Sequence, residues 1–153
     1  MKALIGYNGF VGSKLRKRIK FQKLFNSENI DQIKMYKFTE VYCAAPHSLK
    51  FWANKNPKKD KEIISRLIKN LKGVKCKKFI HISTLDVYPK NLNVDESYKV
   101  YKSKTNNYGE NRKLLEKFII THFKNHLIIR LPALFGLNLR KNSLFDLLNN
   151  EKI

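Results

Sequence analysis

Apolar residues along this chain alternate between short unbroken runs and stripes with helical spacing. KALIGY, residues 2–7, is a short apolar run closed by glycine, the signature of a buried strand. In GFVGSKLRKRIK, Val11, Leu15 and Ile19 recur every four residues, which predicts a helix with one apolar stripe. KLFNS (23–27) reads as a second short strand, and FTEVYCAAP (38–46) as a strand ended by Pro46. NSENIDQIKMYK, between them, has no clear period.

A helix follows, with Asn56 as N-cap and Pro57 at its first position. Ile64, Leu67, Ile68 and Leu71 form its apolar face, and Gly73 is its expected stop. KKFIHIST (77–84) is another buried-strand candidate. Then comes a long polar connection, LDVYPKNLNVDESYKVYKSKTN, and long loops in compact domains are usually functional. GENRKLLEKFIITHFK predicts a helix with Leu114, Leu115, Phe118, Ile119 and His122 on or near one face. HLIIRLPALFG (126–136) is a strand broken by Pro132, and SLFDLLNN opens a last helix with Ser143 as N-cap. Strands alternating with helices in this way predict an α/β fold with a mainly parallel sheet.

Composition adds class and charge. The chain has 153 residues, of which 42% are hydrophobic, enough for one globular domain with a core. No run has the length of a membrane span, and the first residues show no signal-peptide pattern. Cys43 and Cys76 do not make a disulfide framework and are read as reduced thiols of a cytoplasmic protein. The formal charge is +20, from 32 basic and 12 acidic residues. Lysine outnumbers arginine and is spread along the chain. That predicts weak polyanion binding and no specific nucleic-acid partner.

Candidate chemistry begins at IGYNGFVGS, which spaces Gly6, Gly9 and Gly12 between a strand and a helix. A tight turn, close approach to a diphosphate and helix–strand packing each require a residue without Cβ. The helix N-terminus then offers free N–H groups to phosphate. Near the next strand end, Asn26 and Ser27 are placed to hydrogen-bond a ribose, with Glu28 and Asp31 less cleanly positioned. This leaves NAD and NADP equally open. Tyr108 and Arg112 stand four apart on one helix face, where a cation eases ionisation of a phenol. Cys43 with His47, and Cys76 with His81, lack the tight spacing of a zinc knuckle, so no metal is expected. His122 and His126 flank a helix end, where a capping role suffices. Asp86, two residues after Thr84, is a candidate to face the site.

The glycine loop, VYCAAP, HISTLDVY, YGENRKLLE and IIRLPALFG, in this order, resemble the extended short-chain dehydrogenase/reductase superfamily. The likeness is to its NAD-dependent epimerase/dehydratase family, which acts on nucleotide sugars, and runs from Met1 to about Gly136. It implies a Rossmann-type doubly wound sheet with helices on both faces, an NAD or NADP cofactor and a nucleotide-sugar substrate. It further implies that Gly6, Gly9, Phe10, Val11 and Gly12 line the diphosphate, and that Ala44 and Ala45 pass beside the cofactor. Thr84, with Ser83 as its neighbour and substitute, would be the catalytic hydroxyl, Tyr108 the catalytic tyrosine, and Pro132 would lie near the nicotinamide. Arg112 stands where the family usually has lysine, which leaves open a working variant or a binding protein without chemistry. Residues 137–153 would be the start of a truncated or missing substrate-binding region. Such chains often pair through the tyrosine helix, whose spare apolar residues suit a homodimer.

Overall fold

In a computed structural model the described residues are 1–47, 49–90 and 94–136. Five strands form one parallel sheet: β1 (Lys2–Ile5), β2 (Lys23–Phe25), β3 (Lys37–Cys43), β4 (Lys75–Thr84) and β5 (His126–Leu131). Their order is β2-β1-β3-β4-β5. Four α-helices connect them: α1 (Phe10–Arg18), α2 (Lys50–Lys55), α3 (Pro57–Leu71) and α4 (Asn107–His122). Short 3₁₀ turns occupy Ile30–Met35, Leu85–Val87 and Val100–Lys102.

The chain first steps from β1 outward to β2, then returns past β1 to β3 and continues outward to β5. Right-handed crossovers therefore put α1 on one face of the sheet and α3 and α4 on the other. Alternation along the strands agrees. Ala3, Ile5, Val41, Cys43 and Phe79 share the main core with Ile64, Leu67 and Leu71 of α3 and Leu115 and Ile119 of α4. Leu4 and Ile80, of opposite parity, are buried outside that cluster. The reversal of direction between β1 and β3 opens a crevice at the carboxyl ends of the strands, where parallel α/β sheets bind ligands.

The predicted strands and long helices are present, with ends displaced by a few residues. Helix α2 is an addition, because its sequence, KFWANK, carries no apolar period. Asn56 does occupy the N-cap of α3, but its side-chain amide donates to the Trp52 carbonyl in the last turn of α2 at 3.0 Å and makes no cap hydrogen bond to α3. On α4, Leu115 and Ile119 are buried whereas Leu114 is exposed. His126 Nδ1 lies 2.7 Å from the Phe123 carbonyl just past that helix. Both cysteines are free thiols. No described helix is long and apolar enough to cross a membrane. The expectations for Ser143 and for 137–153 lie outside the described residues.

Candidate functional site

The glycine loop closes tightly on the ends of β1 and β3. Gly6 has φ +81°, a left-handed conformation, and a Cβ there would lie 2.7 Å from the Ala44 carbonyl oxygen. Gly12, in the first turn of α1, packs so closely that a Cβ would meet the Gly6 carbonyl oxygen at 2.0 Å. Gly9 is the N-cap of α1 and supplies no side chain to its free amides. The first turn of α1 contains no acidic residue. The amides around Phe10, Val11 and Gly12 therefore form a positive, uncapped helix start. This cradle fits the diphosphate of a dinucleotide, since it is built where side chains are sterically excluded and anions favoured.

Ala44 N donates to the Ile5 carbonyl at 2.9 Å, which sets Ala44 and Ala45 beside the loop. Ser27 is exposed in the turn after β2. There Asn26 Oδ1 accepts the Glu28 amide at 2.9 Å, so the turn satisfies itself. Pro132 follows β5 directly, and four residues later a Cβ on Gly136 would lie 3.6 Å from the Phe10 ring. The segment after β5 thus crosses the carboxyl edge of the sheet back to the start of α1.

The second half of the site is the junction of β4 with α4. Asn106 caps α4, its Oδ1 accepting the Gly109 amide at 3.0 Å. Gly109 lets the helix press against the loop after β4: a Cβ there would be 2.1 Å from the Asp86 carbonyl oxygen. This contact sets Tyr108, one residue earlier, beside Thr84. The Tyr108 amide donates to Asn54 Oδ1 of α2 at 2.9 Å, so α2 is fastened to the same point. Thr84 Oγ1 donates to Asp86 Oδ2 at 3.2 Å and accepts the Asp86 amide at 3.1 Å.

Arg112 lies over Tyr108, with its guanidinium carbon 4.2 Å from the ring centroid. Its terminal nitrogens are held elsewhere. They make three hydrogen bonds of 2.9–3.1 Å to the carboxylate of Asp60 on α3, and one of 3.0 Å to the His47 carbonyl. Asp60 also accepts from Asn111 Nδ2 at 2.8 Å. Burial raises the Tyr108 pKa and outweighs the positive charge of Arg112; Asp86 adds to the rise, while the nearby polar groups of Arg112 and Thr84 oppose it. The cation beside the phenol acts in the expected direction, but the phenol nevertheless ionises less readily than a free tyrosine.

Ser83 and Thr84 are separated by the geometry. Ser83 turns under α4 and donates to Glu116 Oε1 at 2.5 Å. Glu116 is fully buried and also accepts from Tyr101 at 3.0 Å and from Arg130 Nη2 at 2.8 Å. Arg130 Nη1 reaches the Tyr88 hydroxyl at 2.8 Å. Burial opposes ionisation of Glu116, but the donors prevail and its pKa falls below the ordinary value. His81, also buried, is held neutral with its pKa lowered to about 4 by burial. Its Nδ1 lies 3.3 Å from the Cys43 carbonyl, while Nε2 has no partner among the described residues. Burial pushes the Cys43 thiol up to about 12. No group of three metal-ligating side chains occurs among the described residues.

Sequence reasoning missed Asp60, Glu116 and Arg130 as supports of this site. A signal was available for one of them: Tyr108, Arg112 and Glu116 are spaced four apart, so an inward Tyr108 carries the others inward.

No family model matches the sequence, and no curated protein is similar enough to match. Solved structures do match. A dTDP-4-dehydrorhamnose reductase from Bacillus anthracis, solved with NADP, superposes with TM-score 0.79 at 19% identity, over 97% of this chain and 58% of that chain. A UDP-glucuronic acid 4-epimerase from Bacillus cereus, solved with NAD, gives 0.72 at 19% identity, over 99% and 64%. RMD from Pseudomonas aeruginosa, solved with NADPH, gives 0.66 at 19% identity, over 87% and 55%. The chain therefore spans less than two thirds of the length of these structures. Across that span it has the Rossmann-type fold of these structures.

Proposed function

We propose that this chain is the dinucleotide-binding part of an NAD(P)-dependent oxidoreductase or epimerase acting on a nucleotide sugar. The observation that carries the reading is Tyr108, buried beside Thr84 under the Arg112 guanidinium, on the same sheet edge as the glycine cradle. The dinucleotide diphosphate would rest on Gly6, Gly9, Phe10, Val11 and Gly12. Ala44, Ala45, Ser27 and Pro132 would border the rest. When bound, the nicotinamide supplies or accepts a hydride. Tyr108 Oη holds the proton that a carbonyl oxygen receives, or takes one from a hydroxyl in the reverse direction. Thr84 Oγ1 hydrogen-bonds the same substrate oxygen, and Ser83 steadies the strand end through Glu116. Arg112 acts through its charge on the phenol, because its terminal nitrogens are engaged by Asp60 and His47.

The working environment would be the cytoplasm. Leu114 and Ile120, both exposed on α4, support pairing of two copies through that helix.

The test is calorimetric titration with NAD and then NADP, followed by assay of Tyr108→Phe. Saturable binding of either dinucleotide is expected, with turnover abolished in the variant and its cofactor affinity unchanged. Full activity of Tyr108→Phe removes the tyrosine from the mechanism. A second reading, a cofactor-binding module without chemistry, is favoured by the locked Arg112 and the raised Tyr108 pKa. It predicts binding without turnover on any nucleotide sugar.

A further inference from the structure

Around Tyr108 most cations are closed off. Arg112, 3% exposed, is held by Asp60. Lys113, also buried, donates to the Ser103 carbonyl at 2.7 Å and to Glu110 at 2.9 Å. Arg130 is engaged by Glu116 and Tyr88. Lys50 differs. It is the first residue of α2, its side chain is 52% exposed, and its ammonium meets Asp86 Oδ1 at 2.5 Å. The other oxygen of Asp86 accepts from Thr84 Oγ1. Helix α2 is fixed in place, because Asn54 holds the Tyr108 amide. Lys50 is therefore a solvent-reaching ammonium anchored at the mouth of the Thr84–Tyr108 site.

The geometry points to Lys50 as the residue that binds the diphosphate of a nucleotide substrate, exchanging Asp86 for phosphate oxygens when the substrate enters. An exposed lysine–carboxylate pair is weak, so its exchange for a multiply charged diphosphate is favourable. Position assigns the substrate's diphosphate rather than the cofactor's. The cofactor cradle lies at the end of β1, whereas Asp86 tethers Lys50 to the end of β4, with β3 between them. Two strand spacings are about 10 Å. The inference rests on the proposed function for the identity of the second ligand, not for the presence of the ammonium.

The probes are UDP and dTDP, with uridine and thymidine as phosphate-free controls and NAD and NADP as cofactors. Each is titrated into the full chain as wild type, Lys50→Met and Lys50→Arg, after thermal melts establish that the variants fold. We expect wild type to bind one of the two nucleoside diphosphates and to bind the nucleosides far more weakly. Lys50→Met should weaken diphosphate binding at least tenfold, Lys50→Arg should restore it to within about threefold, and dinucleotide affinity should stay within about twofold. An equal loss of dinucleotide affinity in Lys50→Met overturns the assignment, because Lys50 then serves the cofactor. Unchanged diphosphate binding in Lys50→Met overturns it as well. So does a wild type that takes up dinucleotide but neither diphosphate. A wild type that binds diphosphate through Lys50 but no dinucleotide sinks the proposed function and leaves the Lys50 site standing. A wild type that binds neither sinks both.

Discussion

Replacing Asp60 by asparagine keeps the shape of the side chain and removes its charge. Asp60 is 2% exposed and Arg112 is 3% exposed, so the guanidinium would remain buried without an anion. Three hydrogen bonds to Arg112 and one from Asn111 converge on that carboxylate. Removing one partner of a buried, hydrogen-bonded pair costs about 3–5 kcal/mol. With a urea m-value of about 2 kcal/mol/M, the midpoint should fall by about 1.5–2.5 M. For a chain of this size the same loss lowers Tm by roughly 6–20 °C. Urea and thermal unfolding of Asp60→Asn, Arg112→Met and the double variant Asp60→Met/Arg112→Met make the test. The double variant should be more stable than Asp60→Asn, because no charge is left stranded. Glu40→Gln is the reference: it breaks the exposed Lys2–Glu40 pair, with side chains 41% and 29% exposed, and should cost far less than Asp60→Asn. If Asp60→Asn costs no more than Glu40→Gln, or if the double variant is the least stable, the pair does not hold α3 to α4 as described.

Gly109→Ala should destabilise the chain by about 1–3 kcal/mol, although alanine normally favours a helix, because its Cβ would collide with the Asp86 carbonyl; urea unfolding reads the sign directly. Gly12→Ala should abolish dinucleotide binding in calorimetry, since the new methyl would occupy the place of the Gly6 carbonyl. His81 has a folded pKa of about 4 against 6.5 ordinarily, so the unfolded chain binds the extra proton in that window. Stability from this residue is complete above pH 6.5 and is lost as pH falls toward 4, by about 2–3 kcal/mol at pH 4.5. His81→Leu should flatten unfolding free energy between pH 6.5 and 4.5, leaving the loss linked to Glu116, whose depressed pKa acts below its ordinary 4.5.

The strands and the three long helices were legible because each carries a period or an unbroken apolar run. Gly6 and Gly12 were legible because a position that excludes Cβ leaves a visible residue type. The polar side of the core was not. Asp60 looks like an ordinary acid in the first turn of a helix, and its partner is 52 positions away. Glu116 and Arg130 look like surface charges, and only the fold brings them together. Helix α2 was hidden because Phe51 and Trp52 face outward, so its sequence has no stripe. The relation of Arg112 to Tyr108 was half legible. Spacing gave the proximity, while the burial that raises the phenol pKa depends on neighbours from α2, α3 and β4.

The inner face of α4 is keyed rather than greased. Tyr108, Arg112 and Glu116 each enter a different socket, made by Thr84, by Asp60 and by Ser83 with Arg130. An apolar seam tolerates sliding, since one methyl group replaces another at little cost. Here, a slip of one residue rotates all three teeth away together and strands several buried charges at once. The sheet and helix therefore have one register in which they mesh, and the position of the Tyr108 hydroxyl is determined by the two turns of α4 from Tyr108 to Glu116, much as the tip of a key is located by every notch behind it.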